Sequence, residues 1–460
     1  MTKFDLVVVG GGPGGYVAAI RASQLGLSTA LVEKEHLGGI CLNWGCIPTK
    51  ALLRTAEIKT LISHAADYGL KVGPVTVDLK AVVDRSRKIS AQLAGGIKRL
   101  MNKNRITLFE GHARLTGSGK VVIASAAKPQ EISAPHIILA TGASARSLPG
   151  IKADGKLIWT ARHAMTPEIL PKSLLIIGSG AIGIEFASFY RALGSDVTVV
   201  EQQSRILPQE DEEISALAQK AFEKQGIRFL LGASVDQIIS GKDSLKVTLQ
   251  GKEQMFERVI LAVGIIGNTT DLGLEKTKVK VDRGQIMVNE WSQTDEAGIY
   301  AIGDVAGPPW LAHKASHEGI ICVEKIVGIP NIHPLNIHNI PGCTYSLPQV
   351  ASVGLTEAQA CAAGYENLKI GRFPYKANGK ALALGETEGL VKTIFDAKTG
   401  ALLGAHMIGA EVTELIQGFG IAKTLETTEV ELMHTIFPHP TLSEMMHESA
   451  LDAYKQAIHF

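Results

Sequence analysis

Cys41 and Cys46 share the hexapeptide CLNWGC and stand five residues apart. A regular α-helix would hold such Cα atoms about 8.7 Å apart, beyond the ~4.4 to 6.8 Å that a disulfide tolerates. Gly38, Gly39, Gly45 and Pro48 let the backbone tighten before a helix that starts near Cys46. At that helix N-terminus the dipole favours a nucleophilic Cys46 thiolate. A metal site asks for C-x2-C and two further ligands at matching spacing, which the chain lacks, so no metal is expected. Two inert buried thiols are the bland alternative. It is the preferred reading for Cys322, Cys343 and Cys361, which stand alone, and the minor one for the pair.

Two glycine motifs carry a second kind of chemistry. Gly10, Gly12 and Gly15 form one G-x-G-x-x-G, and Gly178, Gly180 and Gly183 form another. In each, the third glycine is followed eighteen residues later by an acid, Glu33 or Glu201. The glycines permit a sharp turn and close approach of a pyrophosphate to a helix N-terminus, while the acid reaches ribose hydroxyls. One such motif alone reads as a turn that packs a helix. Two, each with a strand before it, a helix after it and the acid at the next strand end, make dinucleotide binding the better reading. Glu201 repels a 2′-phosphate, so NAD rather than NADP is expected there, with Arg205 as the dissenting residue. A third grouping is His439 and Glu444 in PHPTLSE: a histidine moves protons near neutral pH, and a carboxylate on its other nitrogen orients the ring. Alone, one histidine among 14 reads as structural.

These residues need elements to hold them, and the chain repeats its elements. Residues 5–33 read as strand, glycine turn, helix and strand; residues 173–201 repeat the pattern at an offset of 168, including Gly26 onto Gly194 and Glu33 onto Glu201. After the second module come short strands (KVTLQ, RVILAVG, QIMVNE, GIYAIGD). From about 340 strand-like QVASVGL, LVKTIFDA and LLGAHMIG precede helical stretches near 411–426 and 441–457. The expected fold is α/β, with two Rossmann-like dinucleotide-binding domains and a C-terminal α+β domain.

Composition narrows the partners. Forty-six basic and 45 acidic side chains leave a formal +1. No long run of like charge speaks for nucleic acid or an anionic membrane. No apolar run approaches the ~18 residues of a spanning helix, and the N-terminus lacks the pattern of a signal peptide, so a cytoplasmic enzyme is expected. Its 48 glycines, about a tenth of the chain, suit many close backbone approaches.

GGICLNWGCIPTK, GSGAIGIEFA, AIGDVAG and HPTLSE, in that order over nearly the whole chain, resemble the pyridine nucleotide:disulfide oxidoreductases, specifically the branch that oxidises dihydrolipoyl groups. The resemblance implies FAD on the first module, held by Gly10, Gly12, Gly15 and Glu33, with Lys50, Ala113, Asp304 and Ala312 lining the rest. It implies NAD on the second, held by Gly178, Gly180, Gly183 and Glu201, with Val235 and Gly264 nearby and Glu185 paired with Lys50 near the flavin. Cys41 becomes the interchange sulfur and Cys46 the sulfur against the flavin. His439, oriented by Glu444, becomes the acid/base that a homodimer supplies to the other subunit's cysteines. The implied domains are FAD-binding 1–145 and 269–338, NAD-binding 146–268 and dimerisation 339–460. The implied partner is a lipoyl domain of an acyltransferase subunit of a 2-oxo acid dehydrogenase complex, or the glycine cleavage carrier protein. A glutathione-type disulfide reductase and a non-catalytic flavoprotein module are the rivals. Two departures stand out: Trp44 where many relatives are smaller, and Ile265-Ile266-Gly267 where Arg-Arg-Pro is common.

Overall fold

A computed structural model describes residues 2–117, 119–124 and 128–460. The chain divides into two compact units, one of residues 1–51, 80–146 and 264–335, the other of residues 52–79, 147–263 and 336–460.

The first unit is built on a five-stranded parallel sheet ordered Ile299–Ala301, His136–Leu139, Leu6–Val9, Thr29–Glu33, Thr107–Glu110. Its central strand Leu-Val-Val-Val is buried on both faces, which is why it reads as an unbroken apolar run rather than an alternating one. Helix Pro13–Gln24 follows the first glycine turn and packs on helix Ala312–Val327. Glycines allow that contact: a Cβ on Gly319 would lie 2.8 Å from the Gly14 carbonyl oxygen. Arg21 and Glu324 pair across the two helices at 2.6 Å. A 25-residue helix, Leu79–Lys103, unremarked in the motif reading, covers the same unit.

In the second unit another five-stranded parallel sheet runs Ile158–Thr160, Arg258–Leu261, Ser173–Ile177, Asp196–Val200, Arg228–Leu230. The spatial order matches the first sheet: the glycine strand is central, its acid-bearing partner lies on one side, and a later strand on the other. The duplication is therefore one of topology as well as sequence. Its C-terminal part is a five-stranded antiparallel sheet ordered Gly342–Thr344, Gln349–Gly354, Leu402–Gly409, Leu390–Asp396, Leu368–Pro374. Helices Val412–Thr424 and Glu444–Ala453 pack on that sheet, burying Phe373, Phe395, Phe419 and Met445. Strand Leu368–Pro374 and the short helix Glu429–His434 go beyond the expected elements. QIMVNE, expected as a strand, contributes only Gln285–Ile286, because its polar end turns at Asn289, whose side chain accepts from the Trp291 and Gln293 N–H groups. Among the described residues no helix is long and apolar enough to cross a membrane.

Candidate functional site

The two glycine turns solve the same geometric problem in the same way. Gly10 and Gly178 both have φ near +105°, and their N–H groups donate to the Val32 and Val200 carbonyls at 2.8 Å. A Cβ on Gly15 would sit 1.8 Å from the Gly10 oxygen, and one on Gly183 would sit 2.0 Å from the Gly178 oxygen. Any side chain there would push the helix off the strand. The middle glycines differ: a Cβ on Gly180 meets nothing within 4 Å, and one on Gly12 meets only the Gly39 Cα at 3.9 Å. Gly12 and Gly180 are also the N-caps of their helices, with no side-chain cap. A helix N-terminus without a side-chain cap, with open space beside its N-cap glycine, can cradle an anion, so both turns fit a pyrophosphate.

The acids are held in register with these cradles. Glu33 Oε2 accepts from the Gly11 N–H at 2.6 Å and Oε1 from the Glu35 N–H at 2.7 Å. Glu201 Oε2 accepts from the Ser179 N–H and hydroxyl, each at 2.8 Å, and Oε1 from the Gln203 N–H at 2.9 Å. A carboxylate offers about four acceptor positions, so each acid keeps capacity for ribose hydroxyls. Arg205 does not turn toward Glu201; it donates to the Pro208 carbonyl at 3.2 Å and faces Glu212. Val235 opens a strand on the second unit.

The cysteines meet the first cradle directly. Short helix Gly39–Trp44 carries Cys41, the chain breaks at Gly45, and helix Cys46–Ser63 begins on the second cysteine. The break is tight: a Cβ on Gly45 would lie 3.1 Å from the Ile40 oxygen and 3.4 Å from the Cys41 Cα. It answers the distance problem of a regular helix by interrupting the helix between the sulfurs. Neither side chain is in a disulfide, and the Cys41 thiol is hydrogen-bonded with Cys46. That bond, then burial, pushes the Cys41 thiol far above the ordinary range; Lys50 pulls against the push and Asp304 adds to it. The hexapeptide abuts the glycine turn, since the Gly38 N–H donates to the Gly11 oxygen at 2.8 Å and a Cβ on Gly39 would lie 2.7 Å from the Gly12 Cα.

Asp304 sits on a short 3₁₀ turn, Gly303–Ala306, where burial raises its carboxyl and Lys314 opposes the rise. Lys314, only 4% exposed, donates to the Gly303 and Gly307 carbonyls at 3.3 and 2.9 Å and pairs with Glu318 at 2.9 Å. Glu318 accepts the Gly303 N–H at 2.7 Å. Lys314 and Glu318 thus clamp the turn that presents Asp304. Motif reading missed them because an i,i+4 Lys–Glu pair is the usual pattern of a solvated helix face. Asn43 and Thr49 were also missed: the Asn43 amide donates to the Leu37 and Gly39 oxygens, and the Thr49 hydroxyl to the Gly45 oxygen at 2.7 Å. Their signal was only their position in and just after the hexapeptide.

The remaining assigned residues are distributed as follows. Ala113 has its side chain in the apolar core, on strand His112–Gly117, and Ala312 opens helix Ala312–Val327. Lys50 belongs to the first unit. Glu185 belongs to the second, where, only 5% exposed, it accepts the Tyr345 N–H at 2.9 Å rather than facing solvent as a helix-surface charge would. Gly264 precedes strand Ile265–Gly267, which pairs with Ala143–Ala145 in the first unit. His439 Nδ1 meets Glu444 Oε1 at 2.9 Å, and Glu444 Oε2 accepts the Thr441 N–H at 2.8 Å. Burial raises the Glu444 carboxyl, but the Thr441 N–H and the His439 ring outweigh it, and the net shift is downward. The ring of His439 is left 78% exposed, with its other nitrogen available.

Two dinucleotide cradles, a thiol pair on one of them and a histidine–carboxylate pair define a class of flavin- and nicotinamide-linked disulfide enzymes. Residues 4–319 match the family model for pyridine nucleotide-disulphide oxidoreductases, and residues 340–450 match that family's dimerisation domain. The chain belongs to the pyridine nucleotide-disulphide oxidoreductase family, whose cofactors are FAD and NAD(H). More particularly, it is 57% identical to a dihydrolipoyl dehydrogenase of Rhizobium etli and 54% identical to that of Zymomonas mobilis, with 99% of each chain covered in both pairs. The mitochondrial dihydrolipoyl dehydrogenase of Pisum sativum is 39% identical, covering 99% of this chain and 92% of the pea protein. Among solved structures, LpdA from Mycobacterium tuberculosis superposes with a TM-score of 0.91 at 27% identity, covering 98% of this chain and 99% of that one. The HOCl-induced flavoprotein disulfide reductase RclA from Escherichia coli gives 0.86 at 25% identity, covering 97% and 99%.

Proposed function

We propose that the chain oxidises dihydrolipoyl groups with NAD+, using Cys41 and Cys46 as its redox pair and working as a homodimer. The observation that carries this reading is the Cys41 thiol hydrogen-bonded with Cys46 across a broken helix that rests on the first glycine turn. We assign residues 1–145 and 269–338 to FAD, 146–268 to NAD and 339–460 to the subunit interface.

In the oxidised enzyme a dihydrolipoyl thiolate attacks the Cys41 sulfur, forming a mixed disulfide and releasing Cys46 as a thiolate at its helix N-terminus. The second lipoyl thiolate then attacks the lipoyl sulfur of that mixed disulfide, closing the lipoyl ring and freeing Cys41. The partner subunit's His439 accepts the thiol protons, and the partner subunit's Glu444 orients its ring. FAD, when bound, supplies the two-electron relay to NAD+ that the side chains cannot. The chain's own contribution there is alignment: Gly10, Gly12, Gly15 and Glu33 seat one dinucleotide, and Gly178, Gly180, Gly183 and Glu201 seat the other. Asp304, on its clamped turn, accepts a hydrogen bond from a hydroxyl of the first dinucleotide. Glu201 selects a free 2′-hydroxyl and excludes a 2′-phosphate.

The natural partner in this reading is a lipoyl domain of an acyltransferase subunit or of a glycine cleavage carrier protein, and the site of action is the cytoplasm. The test is an anaerobic titration of the purified holoenzyme with dihydrolipoamide, watched by visible absorbance, followed by NAD+. Stoichiometric reduction and release of NADH are expected. Inertness to dihydrolipoamide together with turnover of glutathione disulfide and NADPH would replace this function with that of a glutathione-type reductase.

A further inference from the structure

The hexapeptide helix Gly39–Trp44 has six residues and no side-chain N-cap. A helix so short does not hold itself, so its position must come from outside. Asn43 and Thr49 fasten it locally. Arg87 reaches it from helix Leu79–Lys103: one guanidinium nitrogen donates to the Asn43 carbonyl at 2.6 Å, another to the Ser90 hydroxyl at 3.3 Å. The guanidinium carbon lies 4.5 Å from the centre of the Trp44 ring. A charge-assisted bond to a carbonyl at the negative end of a helix and a cation–π contact act together on Asn43 and Trp44, the last two residues before the break at Gly45. This also gives Trp44, the residue that departs from the smaller side chain of many relatives, a partner of matching chemistry.

We propose that Arg87, seated on Trp44, is a positioning residue for the sulfur pair: it holds the end of the hexapeptide helix so that Cys41 stays within bonding reach of Cys46. The inference rests on the redox role assigned to that pair. Closing the pair is an intramolecular step, and its equilibrium depends on how often the two sulfurs meet. Freeing the helix end lowers that frequency and leaves both cysteines in place.

The test opens the pair with dithiothreitol, whose two thiols become a cyclic disulfide as the Cys41–Cys46 disulfide becomes two thiols. The holoenzyme is equilibrated in mixtures of the reduced and oxidised reagent, and the thiols are counted by alkylation and mass spectrometry. Arg87→Met, of similar length but without charge or donors, is expected to shift the ratio about tenfold toward the open dithiol, the loss of one charge-assisted bond. Arg87→Lys, which keeps the charge but not the planar fork, is expected to fall between it and the parent. Arg258→Met provides the comparison: Arg258 likewise donates to a carbonyl, that of Glu257 at 2.6 Å, and lies over a tryptophan, Trp159, but on strand Arg258–Leu261 of the second unit, and its loss should leave the ratio unchanged. Dihydrolipoamide kcat should fall with the ratio while KM for NAD+ stays put. An unaltered ratio in Arg87→Met, even with a lowered thermal midpoint, overturns the proposal. Should that variant not fold, Trp44→Val decides in the same assay, with a shift toward dithiol expected and no shift overturning it. If the parent enzyme fails to turn over dihydrolipoamide while the ratio still moves, the assigned substrate falls and the positioning role stands.

Discussion

Replacing Glu444 by glutamine removes one charge and almost no volume, yet it should nearly stop the enzyme. Glu444 spends its two oxygens differently, one on the Thr441 N–H and one on His439 Nδ1, at 2.8 and 2.9 Å. In Glu444→Gln the amide oxygen takes over the Thr441 bond, which leaves the NH2 group facing Nδ1. The ring then has to accept at Nδ1 and carry its proton on Nε2, the nitrogen that must receive a thiol proton. The wrong tautomer and the lost stabilisation of the imidazolium act on the same step. Tautomer reversal in a buried triad costs about 10⁴ in kcat; with His439 78% exposed in the single chain, about 10²-fold is the reasonable expectation. The assay is NADH formation from dihydrolipoamide at saturating NAD+, with circular dichroism and gel filtration confirming fold and dimer. Glu444→Ala supplies the contrast, because it removes the orienting oxygen without imposing a donor. Glu444→Gln should be at least as slow as Glu444→Ala. A glutamine variant that keeps a third or more of the parent kcat, or clearly outpaces the alanine variant, would refute the reasoning.

Three further outcomes follow from the geometry. Cys41→Ser should reduce dihydrolipoamide turnover to background while the Cys46 thiol, followed by peptide mass after alkylation, stays rapidly alkylated; a slow Cys46 thiol or residual turnover would move the interchange role elsewhere. Glu201→Gln surrenders charge-assisted bonds to the Ser179 N–H and hydroxyl, so kcat/KM for NAD+ should fall about 10- to 100-fold and the preference over NADP+ should narrow, with an unchanged preference contradicting the ribose role. Glu210, beside the Asp211 helix cap, has its carboxyl pushed up to about 7 by burial, with Ser352 opposing and Asp211 reinforcing the push. A raised acid stabilises the fold below its unfolded value near 4.5, and that contribution is lost as pH climbs through about 7. Glu210→Gln should therefore raise the thermal midpoint by a few degrees at pH 8, on the order of 2 kcal/mol, and change little at pH 5; equal shifts at both pH values would count against a buried charge there.

Much of the site was legible because its determinants are local. The glycine of a sharp turn, the helix it opens and the acid at the next strand end lie within thirty residues, and each is demanded by backbone geometry that few residue types satisfy. The cysteine spacing likewise forbids a regular helix, and the break at Gly45 is the structure's answer. Glu185 went the other way: a glutamate on a helix reads as solvated, and only the fold shows it buried on the Tyr345 N–H. Lys392 is similar, a strand lysine just 2% exposed that meets Asp211, Glu357 and Glu213 at 2.8, 2.9 and 3.2 Å.

The sequence by itself determined the duplicated strand–turn–helix modules and the cysteine pair beside the first, since steric rules at glycine and the 3.6- and 2-residue periods act over short stretches. Only the tertiary structure decided which charges support those parts: Arg87 over Trp44, Lys314 and Glu318 under Asp304, Lys392 among three carboxylates. A lysine, arginine or glutamate has the same character along the chain whether water or a distant element will surround it. Its partner exists only once remote segments have packed.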